Sequence, residues 1–151
     1  MAKFSEELPN DLIKQFQNLE IGAKKMMENM TRAGAEVVYR NVKSNMKSSF
    51  KDSSKLEPYL KITKVYNTKD GSINTKVAFY GYYKEKERTY TRKVKQNEYT
   101  YDGIPVPLII RAREYGSSSG EAKKPFFRKS FKKAEIEKAM LKEQEKFLPK
   151  E

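Results

Sequence analysis

The side chains of this 151-residue chain that could do acid–base chemistry are carboxylates, lysines and tyrosines, because it has neither histidine nor cysteine. That composition excludes Cys/His zinc sites, Cys–His nucleophiles, Ser–His–Asp triads and disulfides. A carboxylate, or a lysine or tyrosine base, remains. Four carboxylates stand near turn or loop signals: Asp70, Asp102, Glu114 and Glu121. Asp70 precedes Gly71 and Asp102 precedes Gly103, so both belong to turn chemistry. Glu121 follows a run of small residues. Glu114 reads as a structural hydrogen-bond acceptor or as a salt-bridge partner between subunits. The run Gly116-Ser117-Ser118-Ser119-Gly120 has the small residues of a phosphate cradle, but the Lys-Ser/Thr that completes a P-loop does not follow. The chain therefore reads as a non-enzyme with no metal and no cofactor.

Charge is the next constraint. Lysine and arginine number 32 against 20 aspartates and glutamates, a net +12, and 25 of the cations are lysines. Such a balance favours polyanionic partners. Lysine acts as a diffuse point charge, whereas base readout and bidentate phosphate binding prefer arginine, so a sequence-specific reader is not expected. Residues 84–103 interleave cations with aromatics: Arg88, Tyr90, Arg92, Lys93, Lys95 and Tyr99. Such a surface can stack bases and hold phosphates, which makes non-specific nucleic-acid binding the alternative function. The same alternation also describes a solvated β-arm, and that reading ranks higher. No stretch approaches the ~18 apolar residues of a membrane span. In the C-terminal helix Glu135, Glu137, Glu143 and Glu145 offset the lysines, so no membrane partner is expected. The N-terminus lacks an apolar signal segment, which makes synthesis in a cytoplasm the expectation.

These residues need elements to position them. The length suits a single domain, 1–151, with residues 1–7 expected to fray. Asn10 or Asp11 can cap a short helix carrying Leu12, Phe16 and Leu19. A longer helix is expected over 21–50, its apolar stripe being Met27, Met30, Gly34, Val38, Val42 and Met46. Ala33, Gly34 and Ala35 make a small-residue patch where another element can cross closely. Residues 51–58 read as a loop. Two strands, 59–66 and 73–83, are joined through Asp70-Gly71, a hairpin signal. In the second strand Ile73, Thr75, Val77 and Phe79 alternate with more polar positions, giving one buried face. Residues 84–103 are expected as a projecting β-arm. A helix over 107–114 should end at Gly116, and a final helix should run from Pro125 to about Phe147.

The expected fold class is therefore α+β: a small antiparallel β-sheet with a hairpin arm, packed by a long N-terminal helix and a C-terminal helix. Its core anchors are Phe126, Phe127, Phe131, Val38, Val77 and Phe79. Gly116–Lys124 holds few residues that would keep it rigid, so it is expected to adjust to a neighbouring surface.

The order of these parts resembles a known family. A long N-terminal helix leads through Ser-Ser-Lys-Leu-Glu-Pro (53–58) into a hairpin. The sequence Glu114-Tyr115-Gly116-Ser117 and the opening Pro125-Phe126-Phe127-Arg128 follow. The arrangement, over Leu12 to Phe147 apart from the arm, is similar to the tail-component family of long-tailed bacteriophages, the neck or tail-completion proteins. Members often carry Thr-Gly where this chain has Ser53-Ser54-Lys55, and the arm is longer than the family's connection. The resemblance implies a structural virion protein at the head–tail junction, forming a ring of identical subunits, six being the family's expectation. Its implied partners are copies of itself, head-closure or connector proteins, tail-tube or tail-terminator proteins, and DNA in passing. Glu114, Tyr115, Gly116, Ser117 and Arg128 are then the expected subunit or partner contacts.

Overall fold

The computed structural model describes residues 10–84 and 89–147, and the backbone alone of residues 10–13 and 16. The expected fraying of residues 1–7 and the face formed by the Leu12 and Phe16 side chains lie outside the described residues.

The chain begins with one 40-residue helix, α1 (Asn10–Ser49), in place of the two helices expected. No proline interrupts residues 10–49, and Gly22, beside the expected boundary, costs a helix only about 1 kcal/mol, too little to break it. The C-terminal half of α1 carries the core stripe of Val38, Val42 and Met46, all buried. At its other end Leu19 and Ile21 are 69% and 65% exposed.

A one-turn helix, α2 (Ser53–Leu56), and a 3-10 turn over Glu57–Tyr59 replace the loop expected at 51–58. Asp52 occupies the cap position of α2 without capping it, because its carboxylate is held by Arg113. Leu56 is driven into the core, and the amide of Lys55 bonds the Asp52 carbonyl.

Two antiparallel hairpins follow. In the first, β1 (Leu60–Ile62) pairs with β4 (Val77–Phe79), Leu60 opposite Phe79, and β2 (Tyr66–Asn67) pairs with β3 (Ile73–Asn74). A bond from the Thr63 amide to the Lys76 carbonyl links the two short ladders, 2.8 Å. Asp70 and Gly71 make the turn: Gly71 has φ +84°, and the Asp70 carboxylate accepts from Thr68 Oγ1 and the Ser72 amide. The second hairpin starts with β5 (Tyr82–Tyr83) against β8 (Ile104–Pro105) and continues as β6 (Thr89–Val94) against β7 (Asn97–Asp102). This is the expected hairpin arm, and most of its side chains are exposed. Its turn is the two residues Lys95-Gln96, with Lys95 at φ +56°.

Helix α3 (Val106–Tyr115) stands where the sequence places it, with Gly116 at φ +82° as its C-terminal cap. The C-terminal helix begins later than expected. Residues 125–127 are not helical, Arg128–Ser130 form a 3-10 turn, and α4 spans Lys133–Glu145. The chain leaves helical geometry at Phe131 and Lys132, whose ψ values are 73° and 100°, so the first turn stops after Ser130 and a new helix starts at Lys133. Helix α4 crosses α1 at Gly34: a Cβ there would meet Ile136 Cγ2 at 3.1 Å and Met140 Cγ at 3.3 Å. The small-residue patch is the predicted crossing point.

One core joins these parts. Val38, Val42 and Met46 of α1, Leu56 and Leu60, Phe79, Val106 and Ile110 of α3, and Phe126 pack together. Val77 and Phe127 lie partly buried against that cluster. Phe131, expected in the core, is 51% exposed, because the break at Phe131 (φ −86°, ψ 73°) turns it onto the surface beside Phe127, 5.4 Å between ring centroids.

Candidate functional site

The consecutive residues Arg113 and Glu114 end α3 with charged groups turned toward the protein interior. Glu114 is 3% exposed. Its Oε2 accepts the amides of Phe126 (2.8 Å) and Phe127 (2.9 Å), and its Oε1 accepts the Arg128 amide (3.2 Å) and Arg128 Nε (3.1 Å). Burial alone would raise this carboxyl, but the three amides and the Arg128 guanidinium together hold it below the ordinary carboxylate range. A buried charge is tolerated when every lone pair is used in this way. Glu114 thus caps a helical turn from outside it, accepting amides that a helix start leaves without partners, and fixes where Phe126 enters the core.

Arg113 faces the other way. Its guanidinium grips Asp52 in a two-pronged pair, Nη1–Oδ1 and Nη2–Oδ2 both 2.6 Å, and lies 4.9 Å from the Phe50 ring centroid. The bonds from Arg113 push the Asp52 carboxyl below its ordinary value, and Asp52 raises Arg113 in return. Arg113 Nε also lies 3.5 Å from Glu121 Oε1, an ion pair longer than a direct bond needs.

Between these anchors the Gly116–Pro125 segment is tied down more than its composition suggested. The Ser117 amide bonds the Glu121 carbonyl, the Gly120 amide bonds the Ser117 carbonyl, and the Lys124 amide bonds the Arg113 carbonyl at 2.9 Å. Gly116 is required: a Cβ there would approach the Glu121 carbonyl oxygen at 3.1 Å in a φ that L-residues avoid.

From α1, Asn41 and Asn45 reach the same turn. Asn41 Nδ2 donates to the Ser130 carbonyl (3.2 Å) and to Glu135 Oε2 (2.9 Å), and Asn45 Nδ2 donates to Ser130 Oγ (2.9 Å). Ser130 is fully buried and donates to the Phe126 carbonyl at 2.7 Å.

The five expected contact residues therefore divide. Glu114 is spent inside the molecule and cannot meet another subunit directly, a correction that follows from its burial and its four bonds. Gly116 and Ser117 are half-buried in the turn. Tyr115 is 56% exposed, and Arg128 spans from the buried carboxylate to the outer side of the Tyr115 ring, 5.0 Å from its centroid.

Tyr115 belongs to an outward stripe on α3. Leu108, Arg111, Ala112 and Tyr115 recur at helical spacing opposite the buried Val106 and Ile110, and Leu108 and Tyr115 are exposed. An open cleft of about 740 Å³ runs along this stripe to Ser118. A second, about 340 Å³, joins it to the arm base and is lined by Tyr82, Tyr90, Arg92, Tyr101, Leu108 and Arg111, with Pro105 and Pro107. On the arm, Tyr82 and Tyr101 stack on each other, 5.1 Å apart at 13°, and Tyr90 leans on Tyr101 at 6.4 Å. These rings brace the arm. Arg92, Lys93, Lys95 and Tyr99 are exposed, and Lys93 pairs with Glu98 at 3.5 Å; Arg88 lies outside the described residues.

Sequence reasoning missed Arg113, Asp52, Asn41, Asn45 and Ser130. Asn41 and Asn45 left a trace, two amides four residues apart beside the Val38/Val42 stripe. The Asp52–Arg113 pair spans 61 positions and left none.

Among the described residues, no group of three or more His, Cys, Asp or Glu side chains is placed to hold a metal, and no helix is long and apolar enough to cross a membrane. A long helix, two antiparallel hairpins and a C-terminal helix around one core make this an α+β protein. Residues 10–97, more than half of the chain, match the family described as "Bacteriophage HK97-gp10, putative tail-component". The chain belongs to that family of phage tail components, and its setting is the virion. The match takes in α1, the first hairpin and the arm to its turn; Glu114–Ser117 and Pro125–Arg128 lie beyond it. No curated protein and no solved structure matches the chain.

Proposed function

We propose that this chain is a structural, non-catalytic subunit at the head–tail junction of a long-tailed phage. In this reading identical copies close into a ring that joins the tail to head-closure proteins. Family membership supports a tail role, and the observation that carries the contact role is the outer face of α3, where Leu108 and Tyr115 stand exposed beside Arg111, with Arg128 over the Tyr115 ring. Exposed apolar groups gathered on one face and rimmed by cations are what subunit contacts use. Ring contacts are heterologous, one face meeting a different face of the next copy. The test is the mass of the purified protein by light scattering, together with particles made without it. A multiple of 17.7 kDa and separated heads and tails are expected. A strict monomer absent from purified virions refutes the reading.

The alternative, non-specific DNA contact, draws on Arg92, Lys93 and Lys95 exposed along the arm beside Tyr99. It predicts affinity that falls steeply with salt and ignores sequence. No binding to duplex or single-stranded DNA at low salt eliminates it.

A further inference from the structure

The two faces of the arm are unlike. In the register of β6 and β7, Tyr90, Arg92 and Val94 share one face with Asn97, Tyr99 and Tyr101, because alternate residues of a strand point the same way. The other face sets Thr91 against Thr100 and pairs Lys93 with Glu98, so its polar groups are satisfied within the arm. The aromatic face turns toward α3: Tyr90, Arg92 and Tyr101 line a cleft together with Leu108 and Arg111.

Arg111 stands at the centre of the surface so formed. It borders the cleft at the arm base, the cleft along α3, and a third of about 240 Å³ whose apolar lining includes Phe79, Ile110 and Phe127. Arg128 borders the third cleft as well. Glu114 is the one carboxylate lining any of the three, and its oxygens are already taken by the amides of residues 126–128 and by Arg128 Nε. Arg111 makes no ion pair among the described residues.

Apolar hollows thus adjoin guanidinium groups that lack an anion. A segment carrying a large apolar side chain beside carboxylates satisfies both. A second copy of this chain is poorly equipped to supply it. Glu36, Glu57, Glu98, Asp102, Glu137 and Glu143 are each paired with a cation of their own chain, and the net +12 opposes self-contact at a cationic face. Nucleic acid fits less well than an acidic polypeptide. Tracking a phosphate backbone calls for a row of cations, and the aromatic face of the arm bears Arg92 alone, with Lys93 on the opposite face.

We infer that the aromatic face of the arm and the outer face of α3 together dock an acidic segment of a neighbouring protein other than this chain. A large apolar side chain of that segment enters the Phe79–Ile110–Phe127 cleft, and its carboxylates face Arg111, Arg128 and Arg92. This rests on the contact role given to α3 above and names the occupant.

A photo-crosslinking residue, benzoylphenylalanine, placed at the exposed Leu108 tests the occupant in assembled particles. Purified virions are irradiated, and the peptide joined to this chain is sequenced by mass spectrometry. A peptide from a different virion protein, its carboxylates outnumbering its cations, is expected. Attachment to a second copy, attachment to DNA, a partner segment without that acidic excess, or no attachment in particles that contain the protein each overturn the inference. Charge reversal supplies a second readout. Arg111→Glu should leave melting unchanged and lower particle yield in complementation at least tenfold, while Arg111→Lys should keep most of the yield. Lys138→Glu, an equal change at an exposed position of α4, should have little effect. Equal losses at Arg111 and Lys138 would assign the effect to overall charge and overturn the inference. Light scattering judges the ring separately. A monomer whose Leu108 still joins an acidic neighbour refutes the ring alone, and a ring whose Leu108 joins the next copy refutes the occupant alone.

Discussion

Replacing Glu114 probes the interior in a way that can be worked through from distances. In Glu114→Ala the amide of Phe126, which sits with its fully buried side chain, loses its only carboxylate partner, and the half-buried Phe127 amide loses the same one. A buried donor left without an acceptor costs about 1–3 kcal/mol. Arg128, half exposed, can turn to water and adds little. Two such donors sum to about 2–6 kcal/mol, a range centred on the ~3–5 kcal/mol found when one member of a buried ionic cluster is removed. Against a total of about 5–15 kcal/mol for a domain this is severe. Glu114→Gln keeps one acceptor for the two phenylalanine amides but turns an NH2 toward the Arg128 donors, so a smaller loss of about 1–3 kcal/mol is expected. pH separates charge from shape. The folded-state carboxyl is held below its ordinary value of 4.5, so its contribution is complete above that pH and disappears as pH falls through the lower folded-state value. Urea unfolding followed by circular dichroism should therefore show a gap between parent and Glu114→Gln that is widest at neutral pH and narrows in acid. An alanine variant within about 0.5 kcal/mol of the parent, or a gap indifferent to acid, refutes this account of the cluster.

Other perturbations follow from the same contacts. Phe126→Ala should cost about 3–5 kcal/mol, and Phe127→Ala distinctly less because that ring is only partly buried; equal losses in thermal melts would contradict the packing. Gly34→Ala should be close to neutral, helix propensity offsetting a small displacement of Ile136 and Met140, whereas Gly34→Leu should push α4 away at about 1–3 kcal/mol; a leucine variant as stable as the parent would show that α4 does not cross there. Asp52→Asn removes the charge facing Arg113 and should cost about 1–3 kcal/mol, measured by urea midpoint, with no loss meaning the pair is replaceable by water. Replacing Thr91–Thr100 by Asn-Gly keeps the Tyr90–Tyr101 pair to close the shorter turn and should leave melting unchanged while lowering particle yield in complementation; undiminished yield would discount the arm in assembly.

Much of the architecture was legible because it is written at short range. The Val38–Val42–Met46 stripe, the Asp70-Gly71 turn, the arm and the helix ending at Gly116 each follow from spacing within a dozen residues. What was illegible depended on partners far apart in the chain. Nothing near Pro125 announces that the chain turns extended at Phe131 and Lys132, so a proline at a good helix-start position read as the start of one long helix. Nothing near Asp52 announces Arg113, so a helical turn read as loop. Phe131 read as core because it continues the spacing of Phe127, a periodicity that holds only while the helix does. Glu114 was singled out by its neighbourhood, but its direction, inward, could come only from the fold.

The Arg113-Glu114 dipeptide also has a practical outcome. It fastens both margins of the stretch from Gly116 to Pro125 to the body of the molecule, leaving Ser118 and Ser119 exposed at the crest. Because the margins are secured by Arg113 and Glu114, lengthening the crest costs closure entropy, about 0.6 kcal/mol for each doubling, together with the exposed turn bond from the Gly120 amide to Ser117. An epitope or fluorophore spliced between those two serines would report on where the subunit goes during infection without loosening its scaffold.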